Sequence, residues 1–596
     1  MTAAPRSRSG ELIAVLTVVL ASVVLCGPVL FERGYVLVGD MTFVPDQPWK
    51  PAWLGLDGSV PRAVPADAVV SVVGQLVAGD LLQKSILLGT VVMAGLGVLR
   101  LSTRVATASV PPRIGGAVLY VWNPFVFERL AIGHWGLLVG YAALPWVTAA
   151  ALDLRRDAPA AIGRLVLLLA VAAAGSPTGG VVAGLVAVMV TAGRDRLRRT
   201  AVVLGAVALV NLPWLAPGVL NDAAASDSTG VAAFAARSDS PLGVWGSLLT
   251  FGGIWKQAVV PDERQGALLS TAALVLAAVS LAALVAVSRR GIDRALAPGR
   301  LIALGVVGLV LAGLPAVGPG ERLVTELVEV VPGAGLWRDS QKWLMPFVLV
   351  TCLGFVLVLD ALDRRLRRLE VPALVPTLGL ALVPVALLPS LAWGLSGRLE
   401  PTDYPREWEQ VRVVLERQPA ADRRTAVLPW SAYQRLPWNH RRAALDPALR
   451  FFPGEILASE DLTVSETVTV RGEDRTSDRI GRAIAAREPL AQVLAEEGVR
   501  YLLVEKTAPS AMDVPLPEGT VLHDGSELLL LDLGNGARTG RAPYPGLIIA
   551  ADVLAVLGVL AGAVLVIRRK PGAGVGYDAR GSSINGGAAD SGTDNR

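Results

Sequence analysis

The sequence predicts an all-α polytopic membrane protein of about twelve transmembrane helices, with one extracytoplasmic α/β domain near its C-terminus. Hydrophobic residues make up 53% of the 596 residues and charged residues only 18%, and the mean hydropathy is +0.52. A water-soluble globule of this size needs more polar surface than this composition supplies. Apolar runs of about 18 or more residues recur, and each can cross a hydrocarbon core of roughly 30 Å as a helix.

The apolar runs define the predicted domains. The first run follows a short basic segment without a small-residue cleavage site behind it, so we interpret it as a retained helix. The predicted spans are 11–31, 83–101, 114–127, 135–152, 158–175, 180–193, 201–219, 267–288, 301–318, 345–362, 371–393 and 545–567. The predicted domains are a transmembrane domain at 1–393, a soluble domain at 394–544, a C-terminal helix at 545–567 and a disordered cytoplasmic tail at 568–596.

Charge predicts the orientation. When alternate loops are assigned to opposite sides, the dense basic clusters all fall on one side: Arg100, Arg104, Arg113, Arg155, Arg156, Arg194, Arg196, Arg198, Arg199, Arg289, Arg290, Arg294, Arg364–Arg368 and Arg568–Lys570. The positive-inside rule makes this side cytoplasmic, so we expect both termini inside and the large domain outside the plasma membrane. The net charge of +4 therefore reflects topology, and we expect no nucleic-acid partner.

Cysteine and histidine usage indicates no metal site. Cys26 and Cys352 lie inside apolar runs, and His134, His440 and His523 are widely separated. This arrangement predicts neither a disulfide framework nor ligand spacing for a metal. We assign no cofactor; a divalent metal is compatible with the sequence, but nothing in the sequence indicates one.

The segment between the last two spans has the composition of a soluble protein. Apolar runs at 425–430, 499–505 and 527–533 predict buried strands, and 408–416 and 478–497 show helical spacing. These patterns predict a small α/β domain. Because it has no glycine fingerprint, phosphate loop or nucleophile elbow, we interpret it as a structural or substrate-guiding module.

The first outer loop carries two acids, Asp40 and Asp46, just beyond the first helix. A carboxylate there can stay ionised at the membrane surface and accept a proton from a sugar hydroxyl as general base. The alternative is that Gly39-Asp40 forms a turn in which the aspartate side chain bonds nearby backbone amides.

A second polar cluster, Glu128, Arg129 and His134, lies in a short turn between two predicted spans. Charges held near lipid usually pair or bind a ligand. Arg129 can pair with a carboxylate or bind a phosphate through two hydrogen bonds. The tryptophans that flank this turn, Trp122 and Trp135, are typical of an interfacial aromatic belt.

A third cluster, Arg338, Asp339 and Lys342, directly precedes a span. A helix that begins near Asp339 would turn Arg338 and Lys342 toward one anionic group, which is either a ligand or a lipid headgroup. The three clusters are predicted to share one leaflet. An outward acid, outward cations and access from lipid are the parts needed to transfer a group from a lipid phosphate.

On these features the chain resembles the GT-C superfamily of integral-membrane glycosyltransferases, especially actinobacterial arabinofuranosyl- and mannosyltransferases of the cell envelope. The resemblance covers the topology, Gly39-Asp40, the turn from Asn123-Pro124 to His134, the segment Gly335–Lys342 and the outward α/β domain.

The resemblance implies an enzyme that transfers arabinofuranose or mannose from a polyprenyl-phosphate-linked donor to a cell-envelope glycan or glycolipid, among membrane lipids. It implies Asp40 as the catalytic base, with Asp46 as the second candidate. The candidates for binding substrate and phosphate, chosen for their chemistry, are Glu128, Arg129, His134, Arg338, Asp339 and Lys342.

Two other functions stay open at the level of sequence. A transporter or flippase of a lipid-linked saccharide would normally show internal repeats; we find Asn211-Leu212-Pro213 and Pro315 within spans but no repeat. A noncatalytic scaffold for envelope assembly would tolerate replacement of Asp40 and Asp46 but not changes on the surface of 400–540.

Overall fold

The computed structural model describes most of the chain. The described residues are 8–105, 109–158, 160–193, 197–221, 227–290, 297–331, 333–419, 423–465, 468–509, 513–534, 536 and 540–568. The predicted disordered tail lies outside them, apart from Arg568, as do Arg194, Arg196 and Arg294 of the predicted basic clusters.

The described residues up to 396 form helices joined by loops and turns. The helices are α1 (Arg8–Cys26), α2 (Pro28–Phe31), α3 (Ala66–Gly74), α4 (Gly79–Ser102), α5 (Val110–Val121), α6 (Pro124–Ala131), α7 (Trp135–Arg155), α8 (Ala161–Gly175), α9 (Pro177–Thr191), α10 (Leu197–Leu220), α11 (Thr229–Ala233), α12 (Gly243–Leu249), α13 (Ala267–Arg289), α14 (Pro298–Gly313), α15 (Gly318–Val330), α16 (Met345–Arg368), α17 (Leu374–Ala381), α18 (Val383–Leu387) and α19 (Ala392–Ser396).

Within the described residues, eight helices are long and apolar enough to cross a membrane, or nine if the bent pair Leu374–Leu387 and Pro389–Ser396 forms one span. The predicted spans coincide with helices, but α5, α8 and α9 are short, and the predicted span 371–393 is divided between the short helices α17 and α18. Helix α5 ends before Asn123-Pro124, and α8 and α9, of 15 residues each, are separated at Ser176-Pro177. Proline starts a new helix at both breaks because it lacks the amide hydrogen that the preceding helix would need.

Two helices form the centre of the bundle. Helices α7 and α16 are buried along most of their length, whereas α1, α10, α13 and α24 (Pro545–Ile567) leave most of theirs exposed. Helix α7 packs on α4, α8 and α9, and α16 packs on α5, α13 and α14. The exposed side chains of the outer helices are largely apolar, as expected where lipid replaces water.

Arginines gather at one end of the bundle. Arg104 pairs with Asp153 at 2.8 Å, and Arg300 donates to the backbone oxygen of Met189 at 3.0 Å. Arg113 pairs with Glu11 near the start of α1 at 2.6 Å. This end is opposite the α6–α7 turn and the loop that follows α2. Helix α1 leads from the arginine end toward that loop, and α7 leads from that turn back to the arginine end.

The rest of the chain forms an α/β domain followed by α24. Its elements are α20 (Arg406–Glu416), β1 (Arg424–Leu428), β2 (Tyr433–Gln434), β3 (Ala444–Leu445), α21 (Ala448–Phe451), β4 (Glu455–Leu457), β5 (Leu462–Ser465), β6 (Val468–Val470), α22 (Arg475–Ala485), α23 (Leu490–Glu496), β7 (Tyr501–Glu505), β8 (Thr520–Asp524) and β9 (Leu528–Asp532).

A five-stranded sheet of order β4-β1-β7-β9-β8 is the core of this domain. Strand β1 runs parallel to β4 and β7, while β9 runs antiparallel to β7 and β8. Strands β1 and β7 are buried along their whole length, which explains their continuous apolar sequence. The predicted helical spacing at 478–497 corresponds to two helices, α22 and α23, which are separated at Pro489 because proline cannot continue a helix.

The small hairpin β2–β3 joins the α/β domain to the transmembrane bundle. Gly39, in the loop after α2, pairs with Ala444 of β3, and the Leu445 amide donates to the Gly39 oxygen at 2.7 Å. The Asn439 side chain, in the turn between the two strands, donates to the Leu37 oxygen at 3.1 Å. The hairpin therefore covers the loop after α2. The structure confirms the predicted fold class: a helical multi-pass membrane protein with a sheet-containing domain near its C-terminus.

Candidate functional site

Two glycines allow the loop after α2 to pack on the α6–α7 turn. Gly39 has φ +53° and Gly133 has φ +78°; a Cβ at Gly39 would lie 2.0 Å from the oxygen of Ile132, and one at Gly133 would lie 2.1 Å from the oxygen of Val38. Only glycine fits both the backbone conformation and the space. The contact lets the Asp40 amide donate to the Ile132 oxygen at 3.0 Å.

Asp40 lies at the tip of a tight turn, closed by hydrogen bonds between Val38 and Met41. The predicted Gly39-Asp40 turn is therefore present, but the carboxylate bonds other segments instead of its own loop. Its Oδ2 lies 3.1 Å from Nε2 of His134, and its Oδ1 accepts a hydrogen bond from the Tyr433 hydroxyl of β2. The side chain is 46% exposed, so it is held on both sides and still open to a ligand.

The neighbours of Asp40 keep it ionised. Loss of solvent raises the pKa of the Asp40 carboxyl, but the hydrogen bonds from His134 and Tyr433 and the charge of Lys342 together hold this pKa well below its usual range. Asp40 is therefore a carboxylate at neutral pH.

His134 is held as one neutral tautomer. Its Nδ1 lies 3.0 Å from Nη1 of Arg129. A guanidinium only donates hydrogen bonds, so Nδ1 accepts and the ring proton is assigned to Nε2, which donates to Asp40. Burial and the charges of Lys342 and Arg129 lower the pKa of His134, against the opposing effect of Asp40.

Arg129 connects the α6–α7 turn to the segment before α16. It is fully buried, and its guanidinium donates to both carboxylate oxygens of Asp339 at 2.5 and 2.9 Å and to Oε1 of Gln341 at 2.5 Å. Together with the contact to His134, these bonds use both terminal nitrogens. Arg129 therefore orients His134 and leaves little of its guanidinium for a phosphate.

Glu128 extends the buried network on the other side. Gln341 donates from Nε2 to Oε2 of Glu128 at 2.6 Å. Burial and the nearby charge of Asp239 raise the pKa of Glu128 well above its usual value, while Arg264 pairs with Asp239 at 2.6 Å. A protonated Glu128 beside an ionised Asp239 links the loop before α13 to the site.

Cations remain available beside Asp40. Lys342 is 24% exposed and lies 3.4 Å from Oδ2 of Asp339. Lys256 lies close enough to Asp40 for the carboxylate to raise its pKa, although burial and the charge of Arg435 lower it overall. The exposed acid thus faces positive charge from two different loops.

Two predicted residues lie elsewhere. Asp46 pairs with Arg412 of α20 at 3.2 Å, and Arg338 pairs with Glu473 at 2.8 Å. The predicted helix start near Asp339 is a 3-10 turn over Ser340–Leu344, and its geometry directs Arg338 and Lys342 to different partners. Asp40, Glu128, Arg129, His134, Asp339 and Lys342 are brought together.

Sequence reasoning missed the residues that come from other segments, namely Tyr433, Gln341, Asp239, Lys256 and Arg264. Gln341 lies within the third predicted cluster. Lys256 and Arg264 lie in a loop that was predicted on the same side of the membrane as Asp40, and this shared side is the sequence feature that could have indicated them. Tyr433 carries no local motif. Across the part of the chain that the structure describes, no group of three His, Cys, Asp or Glu side chains is placed to hold a metal.

A pocket lies beside this network among the membrane helices. It is partly open, has a cavity volume of about 50 Å³ and is lined by the α5–α6 junction, by α13 and by α18, with Arg264 at its edge. Leu119, Ala273 and Leu276 contribute to its largely apolar wall.

The fold is similar to that of a solved membrane glycosyltransferase. The arabinofuranosyltransferase AftD from mycobacteria, in one cryo-EM class of a mutant, superposes with a TM-score of 0.55 at 17% identity, over 90% of this chain and 42% of that chain. A second class gives a TM-score of 0.50 at 15% identity over the same shares. The predicted resemblance to the GT-C superfamily is thus confirmed at the level of the fold.

A sequence relative points the same way. An alpha-(1→3)-arabinofuranosyltransferase of Mycolicibacterium smegmatis is 26% identical over 277 residues, which cover 42% of this chain and 18% of that protein. The chain therefore spans less than a fifth of this relative and less than half of the matched structures. No protein-family model matches the sequence.

Proposed function

We propose that the chain is an integral-membrane glycosyltransferase that moves a sugar from a polyprenyl-phosphate carrier to a hydroxyl of a cell-envelope glycan or glycolipid on the outer face of the plasma membrane. The observation that carries the proposal is the half-exposed Asp40 carboxylate, fixed between His134 and Tyr433 and facing Lys342 and Lys256. Arabinofuranose is the favoured sugar because the relatives above are arabinofuranosyltransferases; mannose is the second choice.

In the proposed reaction the acceptor oxygen attacks the anomeric carbon of the donor. The bond from that carbon to the phosphate oxygen breaks, and polyprenyl phosphate leaves with the bonding electrons. The proton of the acceptor hydroxyl passes to the carboxylate of Asp40, which acts as general base. His134 and Tyr433 fix the carboxylate, so that little reorganisation is needed at the moment of transfer.

The cations on the open side of Asp40 suit the leaving phosphate. Lys342 and Lys256 are placed to stabilise its charge, as point charges of this kind do at transferring phosphates. Donor binding would also neutralise Lys342, one of the groups that depress the pKa of Asp40. The carboxylate thus becomes a stronger base once the donor is in place.

The buried residues support this geometry without touching the substrate. Arg129 and Asp339 form a bidentate pair that sets the ring of His134, and Gln341 ties that pair to Glu128. The apolar pocket at α13 and α18 suits the hydrocarbon chain of the carrier. The basic end of the bundle supports the predicted orientation, with that end in the cytoplasm.

The test is sugar transfer in membranes that contain equal amounts of wild-type protein or the variant Asp40→Asn. The donors are radiolabelled decaprenyl-phosphoryl arabinose and then the mannose analogue. We expect the variant to lose transfer by about 10²-fold or more, because an amide cannot accept the proton. Asp80→Asn, at the start of α4, removes a different outer carboxylate and should keep full activity.

The other outcomes separate the alternatives. Normal transfer by Asp40→Asn would remove this residue from the mechanism, and Asp46→Asn would then be measured. Absence of transfer by the wild-type protein with either donor, together with movement of the lipid-linked sugar across the bilayer, would favour a flippase. Absence of both would favour a scaffold.

A further inference from the structure

Two carboxyl groups are buried together in the α/β domain. Asp446 follows β3 and Glu505 ends β7; their exposed fractions are 0% and 1%. The two side chains lie within hydrogen-bonding distance of one another. Neither belongs to the proposed site.

The pair lacks the donors that two carboxylates require. Oδ1 of Asp446 accepts from the Ala448 amide at 2.8 Å, and the Gln434 side chain also contacts Asp446. Within the described ranges, Oδ2 of Asp446 and both oxygens of Glu505 have no hydrogen-bond donor. Two adjacent buried carboxylates cannot both ionise, and one shared proton would supply the missing donor.

The surrounding groups do not neutralise the pair. Tyr404, from the segment before α20, faces both carboxyls, and Arg450 of α21 faces Tyr404. The Arg450 guanidinium itself is bonded to Asp67 and Thr42, at 3.0 and 2.6 Å. Burial raises the pKa of Asp446 to about 6, and burial with the charge of Asp446 raises the pKa of Glu505 well above its usual value.

The pair stands where the hairpin meets the central sheet. Tyr433 pairs with Leu445, the residue before Asp446, and the Asp446 amide donates to the Ala432 oxygen at 3.0 Å. Glu505 belongs to the strand next to β1 in the middle of the sheet. A bond between the two carboxyls therefore fastens both strands of the hairpin to a rigid support.

We propose that Asp446 and Glu505 are positioning residues: a proton shared by their carboxyl groups fastens the β2–β3 hairpin to the sheet and so holds the Tyr433 hydroxyl against Asp40. The role of this contact in transfer rests on the function proposed above, whereas the shared proton does not.

The sign of the pH effect follows from the raised pKa values. Both carboxyls bind protons more tightly in the folded chain than in the unfolded chain, where their pKa values are about 4. Their stabilising contribution is therefore complete below pH 4 and decreases as the pH rises through about 6 and on toward the higher pKa of Glu505.

The first experiment measures the melting temperature of the full-length protein in detergent from pH 5 to pH 9. We expect the wild type to lose about 4 °C or more over this range. The double variant Asp446→Asn/Glu505→Gln keeps an amide–amide hydrogen bond without a titrating proton, so its loss should be less than half as large. The control is Asp532→Asn. Asp532 lies on β9 of the same sheet and pairs with Arg500, and its replacement should leave the change of melting temperature with pH as in the wild type.

An equal slope in the double variant would overturn the proposal. So would a wild-type melting temperature that falls on addition of a chelator, since a cation between the carboxyls would then replace the shared proton.

The second experiment measures transfer against pH for the same proteins. We expect kcat of the wild type to fall at alkaline pH. The kcat of the double variant should not fall over the same range, and Tyr433→Phe should have a low kcat at every pH. An unchanged alkaline decrease in the double variant would contradict the positioning role. If no protein transfers sugar, the proposed function fails while the melting series still decides whether the proton is shared.

Discussion

Arg129 shows how a single buried charge organises this molecule. It is fully buried, and its partners come from the turn that holds His134 and from the segment before α16. Replacement by methionine would leave Asp339 buried without its counter-charge. We expect Arg129→Met to cost about 3–5 kcal/mol of stability, seen as a lower melting temperature in detergent.

The matched control is an exposed ion pair. Arg482 pairs with Asp478 at 2.7 Å, with 66% of the arginine side chain exposed. Solvent screens such a pair, so Arg482→Met should change stability by about 1 kcal/mol or less. Equal effects of the two variants would contradict the central role of Arg129.

The depressed pKa of Asp40 predicts the acid side of the pH profile. Because this pKa lies well below its usual range, Asp40 stays ionised at pH 5, and wild-type transfer should change little between pH 5 and pH 7. His134→Ala removes the hydrogen bond that contributes most to the depression, so the pKa of Asp40 rises. We expect this variant to lose transfer at pH 5 relative to pH 7, as measured by kcat at saturating donor. A parallel decrease in both proteins would show that another group controls the acid side.

At the scale of elements, two backbone segments in contact set the position of Asp40. The loop at Gly39 and the turn at Gly133 touch through their backbones, and a Cβ at Gly39 would lie 2.0 Å from the Ile132 oxygen. We expect Gly39→Ala to add about 1–3 kcal/mol of strain and to abolish transfer by moving Asp40. Gly89→Ala on α4, where a Cβ meets nothing within 4 Å, should leave both stability and transfer intact.

The pocket between α5, α13 and α18 predicts a different kinetic effect. Ala273→Trp fills it, so the KM for the polyprenyl donor should rise by about tenfold, ~1.4 kcal/mol of binding, with a smaller change in kcat. Leu268→Trp places the same ring on the same helix at a position that is 81% exposed and should change neither constant.

The helices and loops also show which features could be predicted from the sequence. Apolar length predicted where the helices of the bundle lie, but it predicted twelve spans, whereas eight helices of the described residues, or nine with the bent pair, are long and apolar enough to cross a membrane. Alternating clusters of charge placed Asp40, His134 and Lys342 on one predicted side. Sequence patterns are local, so they could not bring Tyr433 to Asp40, which requires the fold of a domain almost 400 residues away. They also could not show that Arg129 is used in internal contacts, because two of its partners, Asp339 and Gln341, lie more than 200 residues downstream.

At the scale of the whole molecule, the one-sided distribution of arginines predicts its orientation in the membrane. Both native cysteines are buried, so a new surface cysteine can be labelled selectively. We expect a membrane-impermeant maleimide to label Arg435→Cys on the α/β domain in intact cells, and Arg198→Cys at the opposite end only after lysis. The reverse pattern would place the α/β domain in the cytoplasm and would contradict the proposed site of transfer.

The hairpin contact between the α/β domain and the first loop also has a consequence for biosynthesis. Asp40 is made early, but Tyr433 and the strand that supports it leave the ribosome only after most of the membrane helices have been inserted. Domains generally fold as units in the order of synthesis. The nascent bundle therefore contains Asp40 long before Tyr433 has been synthesised. The surface around Asp40 is completed only when the late domain folds over it.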